Sequence, residues 1–170
     1  AYEGHILACE YDTRRLIRIS LQEVEGTLQG ATYPLSSEIL ATNSKTFLGP
    51  VVSTVSPNGH VFVGSIRDSA WGAGNNIGEI VVLSFAPEET PAGIAEMRAL
   101  PDGFRLCMTA TVDVSQATQL GNYRLQSYRR IATASYGGDD VDRRTEQIQS
   151  IDVSKDRTFV DLHRSVDHET

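Results

Sequence analysis

Residues 51–66 read VVSTVSPNGHVFVGSI. Two runs rich in Val, Ile, Thr and Phe flank Ser56-Pro57-Asn58-Gly59. Strands favour such β-branched and aromatic residues, because they pack well on a pleated surface. Asn-Gly tolerates positive φ, and Pro fixes φ at the start of the turn. The stretch therefore predicts a β-hairpin. The pattern recurs at residues 96–108, EMRALPDGFRLCM, around Pro101-Asp102-Gly103. It recurs again at residues 148–162, IQSIDVSKDRTFVDL, around Ser154-Lys155-Asp156-Arg157. A chain of hairpins places its function on the loops that the hairpins hold.

Working outward, residues 6–9 form a short apolar run, and Leu16-Ile17-Arg18-Ile19 predicts a mostly buried strand with charges at its edges. Glu25-Gly26 turns the chain into a third strand over 27–33, so the first part is a meander. Residues 34–50 read as loop. Residues 67–79, RDSAWGAGNNIGE, form a Gly- and Asn-rich loop around Trp71, followed by a strand over 80–85. Residues 87–93 hold two prolines and two glutamates without an apolar anchor, and they read as a linker between domains 1–86 and 94–170. In the second part, residues 109–112 extend the hairpin strand, and residues 114–118 make one helical turn ending near Gly121. Residues 123–128 alternate as a strand, and residues 134–146 read as a polar loop. The fold class is all-β: short strands with turn signals between them suggest a sandwich for the second part.

The chain has 170 residues, 40% of them apolar, and a net charge of −7. A nucleic-acid binder would carry a basic stripe, so this acidity argues against one and favours solubility. No apolar run reaches the ~20 residues that cross a bilayer as a helix. Strand runs lie close to both ends, so the sequence reads as an internal or C-terminal piece of a longer protein. The two cysteines, Cys9 and Cys107, lie far apart inside strand runs. They read as reduced, buried small hydrophobes. The absence of a CxxC leaves no zinc-ribbon or c-type haem attachment pattern in this span.

Three segments carry a family resemblance: GHILACEYDTRRLIRISL, EGTLQGATYPL and FLGPVVSTVSPNGHVFVGSIRDSAWG, all within residues 1–86. They resemble the last part of the six-bladed β-propellers of bacterial glucose/sorbosone dehydrogenase-like proteins. The following LPDGFRL, VDVSQA and NY resemble a bacterial Ig-like module. The resemblance implies terminal propeller blades completed by the rest of the propeller chain, and after them an Ig-like sandwich lacking its final strand. It implies a periplasmic or extracellular parent holding pyrroloquinoline quinone (PQQ) and calcium, or haem c on another domain. No cofactor-binding residue of that kind can be matched within this span.

Among candidate chemistry, the 67–79 loop ranks first. If it sits at a propeller mouth, Arg67, Asp68 and Trp71 offer a cation, an acceptor and an aromatic plate to a sugar or another small molecule. The plainer alternative is a solvated connection with Trp71 tucked against a neighbouring blade. His60 follows the Asn-Gly turn, with no readable nucleophile or carboxylate partner, and reads as a surface residue. His5, His163 and His168 lack metal-ligand spacing. Asp139-Asp140-Val141-Asp142 lacks the calcium-loop pattern with a distal Glu and reads as a solvated acidic turn. No complete catalytic set is present. The leading expectation is a non-catalytic C-terminal part of a dehydrogenase-like propeller protein. The alternative is a carbohydrate- or protein-binding β module without a redox role.

Overall fold

A computed structural model of the chain describes residues 2–11, 13–35, 48–67, 77–84, 92–131, 133–134 and 138–164. The chain is all-β. Its described residues contain twelve strands, one short α-helix and one 3-10 turn. The strands form antiparallel sheets, none of which closes on itself. Two compact units are present, residues 1–91 and 92–170.

The first unit holds two three-stranded meanders. In the first sheet, β1 (Ile6–Glu10), β2 (Arg15–Val24) and β3 (Thr27–Pro34) pair in that order. Glu25 and Gly26 form its two-residue β2–β3 turn, with φ of 50° and 75°. Positive φ at both positions gives the primed turn whose twist matches the strands it joins. In the second sheet, β4 (Pro50–Val55), β5 (Val61–Arg67) and β6 (Ile77–Leu83) pair in order. The Asn58-Gly59 turn closes as its residues predict. Gly59 takes φ +80° and donates its N–H to the Ser56 carbonyl at 2.9 Å. The sixth strand begins at Ile77 rather than Ile80, because Ile77, Gly78 and Glu79 pair with Arg67, Ile66 and Ser65. The six strands fall three and three.

One core joins the two sheets. Leu16 from β2 and Leu35 after β3 cluster with Val61, Val63 and Leu83 of the second sheet. Side chains alternate across a strand. The register therefore assigns Leu7, Cys9 and Leu16 to the inner face of the first sheet, and Val61, Val63 and Ser65 to that of the second.

The second unit holds a four-stranded sheet ordered β11-β12-β8-β7 and a two-stranded ribbon, β9-β10. The strands are β7 (Ile94–Leu100), β8 (Gly103–Met108), β9 (Leu125–Arg130), β10 (Asp140–Glu146), β11 (Ile148–Val153) and β12 (Phe159–Arg164). Residues 109–112 do not extend β8. They are followed by α1 (Val114–Ala117), capped by Asp113, whose carboxylate accepts from the Gln116 N–H at 2.9 Å. The 3-10 turn over Leu120–Asn122 comes next, and the Tyr123 hydroxyl donates to the Ala117 carbonyl at 2.8 Å. Leu106, Ala117, Val160 and Leu162 form the core, with Met97, Tyr123 and Ile151 packed around them.

The reading of 134–146 as loop is corrected, since residues 140–146 are a strand. The sequence DVDRRTE has no apolar alternation to reveal it. Instead, cross-strand ion pairs support it. Arg129 meets Asp142 at 2.5 Å and Arg130 meets Asp140 at 3.0 Å.

Candidate functional site

Of the three residues the sequence singled out, Arg67 is exposed at the end of β5. Asp68 and Trp71 lie outside the described residues. His60 is also exposed, and its Nδ1 lies 3.0 Å from the Ser84 hydroxyl. That contact ties the start of β5 to the end of β6 and gives His60 a serine partner that its sequence surroundings did not show. Asp140 is committed to Arg130, whose guanidinium holds its carboxyl below the usual carboxylate range. Arg143 also pairs with Asp140. Among the described residues no group of three or more His, Cys, Asp or Glu side chains could hold a metal ion. No helix among them is long and apolar enough to cross a membrane.

Arg18 was read as a strand residue beside charged edges, but it is only 4% exposed. Its guanidinium carbon lies 4.2 Å from the Tyr2 ring centroid and 4.3 Å from that of Tyr33. Its Nη1 is 2.9 Å from His5 Nδ1. The Tyr33 hydroxyl lies 3.1 Å from the Ser20 hydroxyl. A planar cation between two rings gains cation–π attraction that strengthens as water is removed. The cluster ties the segment before β1 to β2 and β3. The signal in the sequence was Tyr33, which stands opposite Arg18 in the β2–β3 register.

The second unit carries its charges on the face of the sheet opposite its core. There Arg105 makes a bidentate pair with Asp161, at 2.8 and 2.7 Å. Through that bond Arg105 lowers the Asp161 pKa. His163 stands between two carboxylates, with Nδ1 at 2.8 Å from Asp102 and Nε2 at 3.3 Å from Asp152. The bond to Asp102 raises its pKa. Cys9 and Cys107 are free and half-buried rather than fully buried. Burial pushes the Cys107 thiol up, which lowers its nucleophilicity.

What the sequence reading missed are the faces of the first unit that point away from its core. On the second sheet the register brings Val52, Phe62, Ile66, Ile80 and Val82 to one outer face, around Gly64. All five are exposed, and Ile80 reaches 78%. An open groove of about 370 Å³ runs over Gly64, Gly78 and Ile80. On the first sheet, Ile6, Ile17, Ile19, Leu21 and Leu28 share the outer face. Leu28 is 67% exposed. The outer face of the second sheet is therefore largely apolar, whereas that of the first carries Glu10, Arg15 and Glu23 beside its apolar residues. Comparison with protein-family models, with curated proteins and with solved structures found no match.

Proposed function

We propose that this chain is the C-terminal, non-catalytic portion of a propeller protein similar to the glucose/sorbosone dehydrogenases. In this reading the first unit supplies two blade-like sheets and the second is an accessory Ig-like sandwich. The observation that carries it is the uncharged, largely apolar outer face of the second sheet, with Ile6, Ile17, Ile19, Leu21 and Leu28 on that of the first. Two packed antiparallel sheets that stand alone turn polar faces to water. A propeller blade instead packs on a neighbour at each side, around a central channel. The close approach of β1 and β4, the first strands of the two meanders, is consistent with successive blades.

The sandwich reading has its own support. An Ig constant-type domain has one sheet of strands A, B, E and D. Taking β7 as A, β8 as B, β11 as D and β12 as E, the order β11-β12-β8-β7 matches that sheet. The ribbon strand β9 then stands in the place of strand C. The parent's periplasmic or extracellular location, and its PQQ, calcium or haem c, follow from the resemblance alone.

The test is to assay the 170-residue chain for sugar oxidation with PQQ, calcium and an electron acceptor, alongside binding of a hydrophobic dye. Strong dye binding without turnover is expected. Saturable turnover abolished by Arg67→Ala would move catalysis into this chain. Saturable sugar binding without turnover, lost in the same variant, would favour the carbohydrate-binding alternative.

A further inference from the structure

A cavity of about 290 Å³ lies within the second unit, between the core face of the four-stranded sheet and the segment that carries α1 and the 3-10 turn. Leu106 and Val160, cross-strand partners on β8 and β12, line it and are buried. Met108, Val112 and Ala117 add apolar wall. Its solvent side is polar, because Asp113, Gln116 and Asn122 line it and are exposed. Backbone bonds fix the walls. The Met108 N–H donates to the Thr158 carbonyl at 2.8 Å, and the Val112 N–H to the Arg157 carbonyl at 2.9 Å. The polar side is held as firmly. Asn122 Nδ2 donates to the Gln116 carbonyl at 2.8 Å. The hydroxyl of Tyr123, which also lines the cavity, is spent on the Ala117 carbonyl.

Asp113 is the charged group at this cavity. Its Oδ1 accepts from the Gln116 N–H at 2.9 Å and from the Ser115 hydroxyl at 2.6 Å. Both bonds go to Oδ1, which leaves Oδ2 to take a donor from outside. The Ser115 hydroxyl and the Gln116 N–H hold the carboxyl below its usual range, with the Arg157 charge adding least. Size and lining then select a ligand. An apolar cavity of about 150 Å³ takes up benzene, so this one has room for a single aromatic ring with a short chain. Met108 supplies a thioether, which makes favourable contact with aromatic rings. A carboxylate at the rim, on a chain of net charge −7, attracts a cationic head. We infer that this cavity binds a small arylalkyl amine, its ring against Leu106, Val160 and Met108 and its ammonium group at Asp113.

Amide NMR of the full chain tests this, with phenethylamine as the probe and 2-phenylethanol as its uncharged counterpart. Phenethylamine should give saturable shifts confined to the amides around Val112, Gln116 and Asn122. Its ring protons should show through-space contacts to the Met108 methyl. Asp113→Asn keeps the helix cap, since asparagine caps as well as aspartate. It should weaken binding of the amine about tenfold, the value of a hydrogen bond to a charged group, and leave the alcohol unchanged. Val112→Phe fills the cavity and should abolish binding of both, with circular dichroism as the check on folding. No saturable shift with the amine, or shifts scattered along the chain, would overturn the proposal. Equal affinity for amine and alcohol, unmoved by Asp113→Asn, would overturn it too, because the carboxylate would then read nothing. Binding retained by a folded Val112→Phe variant would place the ligand elsewhere and overturn it as well. If that variant unfolds, the contact between ring and Met108 decides the location alone.

Discussion

At the scale of single residues, two positions in the second unit bear directly on its stability. Gly103 opens β8 with its backbone against β12. A Cβ added there would stand 1.9 Å from the Leu162 carbonyl oxygen. The obstacle is backbone, so it cannot swing aside as a side chain would. Gly103→Ala should cost about 2 kcal/mol or more, at the upper end of overpacking effects. Faster hydrogen exchange of the β8 and β12 amides would report it, and unchanged exchange would show that the strands can separate freely. His163 gives a dependence on pH of definite sign. Its folded pKa is raised above the usual 6.5 by Asp102, with Asp152 and Asp161 adding to the effect. Its stabilisation is therefore full below about 6.5 and fades as pH rises through the raised folded value. The site is partly exposed, so solvent screening keeps the effect modest. Denaturant midpoints measured from mildly acidic to mildly alkaline pH should fall for the wild type, and the fall should flatten in His163→Gln. Asp161 acts in the opposite direction. Its stabilisation holds above about 3.8 and is lost as pH falls through its depressed folded value.

Elements show why the sequence was legible in some places and silent in others. The three hairpins announced themselves because turn chemistry and β-branched flanks agree locally. Val55 pairs with Val61 across the Asn-Gly turn, and Leu100 pairs with Gly103 across the Asp-Gly turn. The strand β10 is invisible locally because its support is an exchange of charge with β9, and its own sequence shows no hydrophobic period. Arg18 lies within the run read as mostly buried, but what holds an arginine inside, two tyrosine rings, is not local to it. The candidate site was less legible still. Arg67 sits where its strand run ends, but nothing local tells which face of β5 points outward. That sidedness is measurable. Val63 is wholly buried and Val52, on the opposite side of the sheet, is 59% exposed. Val63→Ala should cost about 2 kcal/mol through lost burial and a cavity. Val52→Ala should change stability by less than about 0.5 kcal/mol. Equal losses in urea unfolding would mean that both faces of the second sheet are covered.

For the whole molecule, the contrast between the two units matters most. The first hides a small core between two sheets and turns apolar residues outward. The second carries a bidentate ion pair and a bridged histidine on the face away from its core. Those charges suit contact with water, whereas the apolar residues suit contact with another sheet. The composition of residues 87–93, polar and proline-containing, places the first proteolytic cuts there, between the two units. The second expected region is the polar stretch from residue 136, cut back to the part before Asp140, where β10 begins. Mass spectrometry of early digests checks both positions. First cuts within Val61–Arg67 would contradict the placement of that strand at the centre of its sheet.

The Asn58-Gly59 turn has a chemical consequence in time. An asparagine side chain followed by glycine ages when the glycine nitrogen attacks the side-chain carbonyl carbon. Ammonia leaves, a succinimide forms, and water opens it to aspartate or isoaspartate. Here Asn58 is exposed, but the Gly59 N–H is engaged by the Ser56 carbonyl. The nucleophile is therefore held in the turn while the hairpin stays closed, and it is released when the hairpin opens. Slow accumulation of the aged form in stored protein thus acts as a clock for how often this hairpin breathes, and it adds one negative charge to an already acidic chain each time aspartate or isoaspartate replaces the amide.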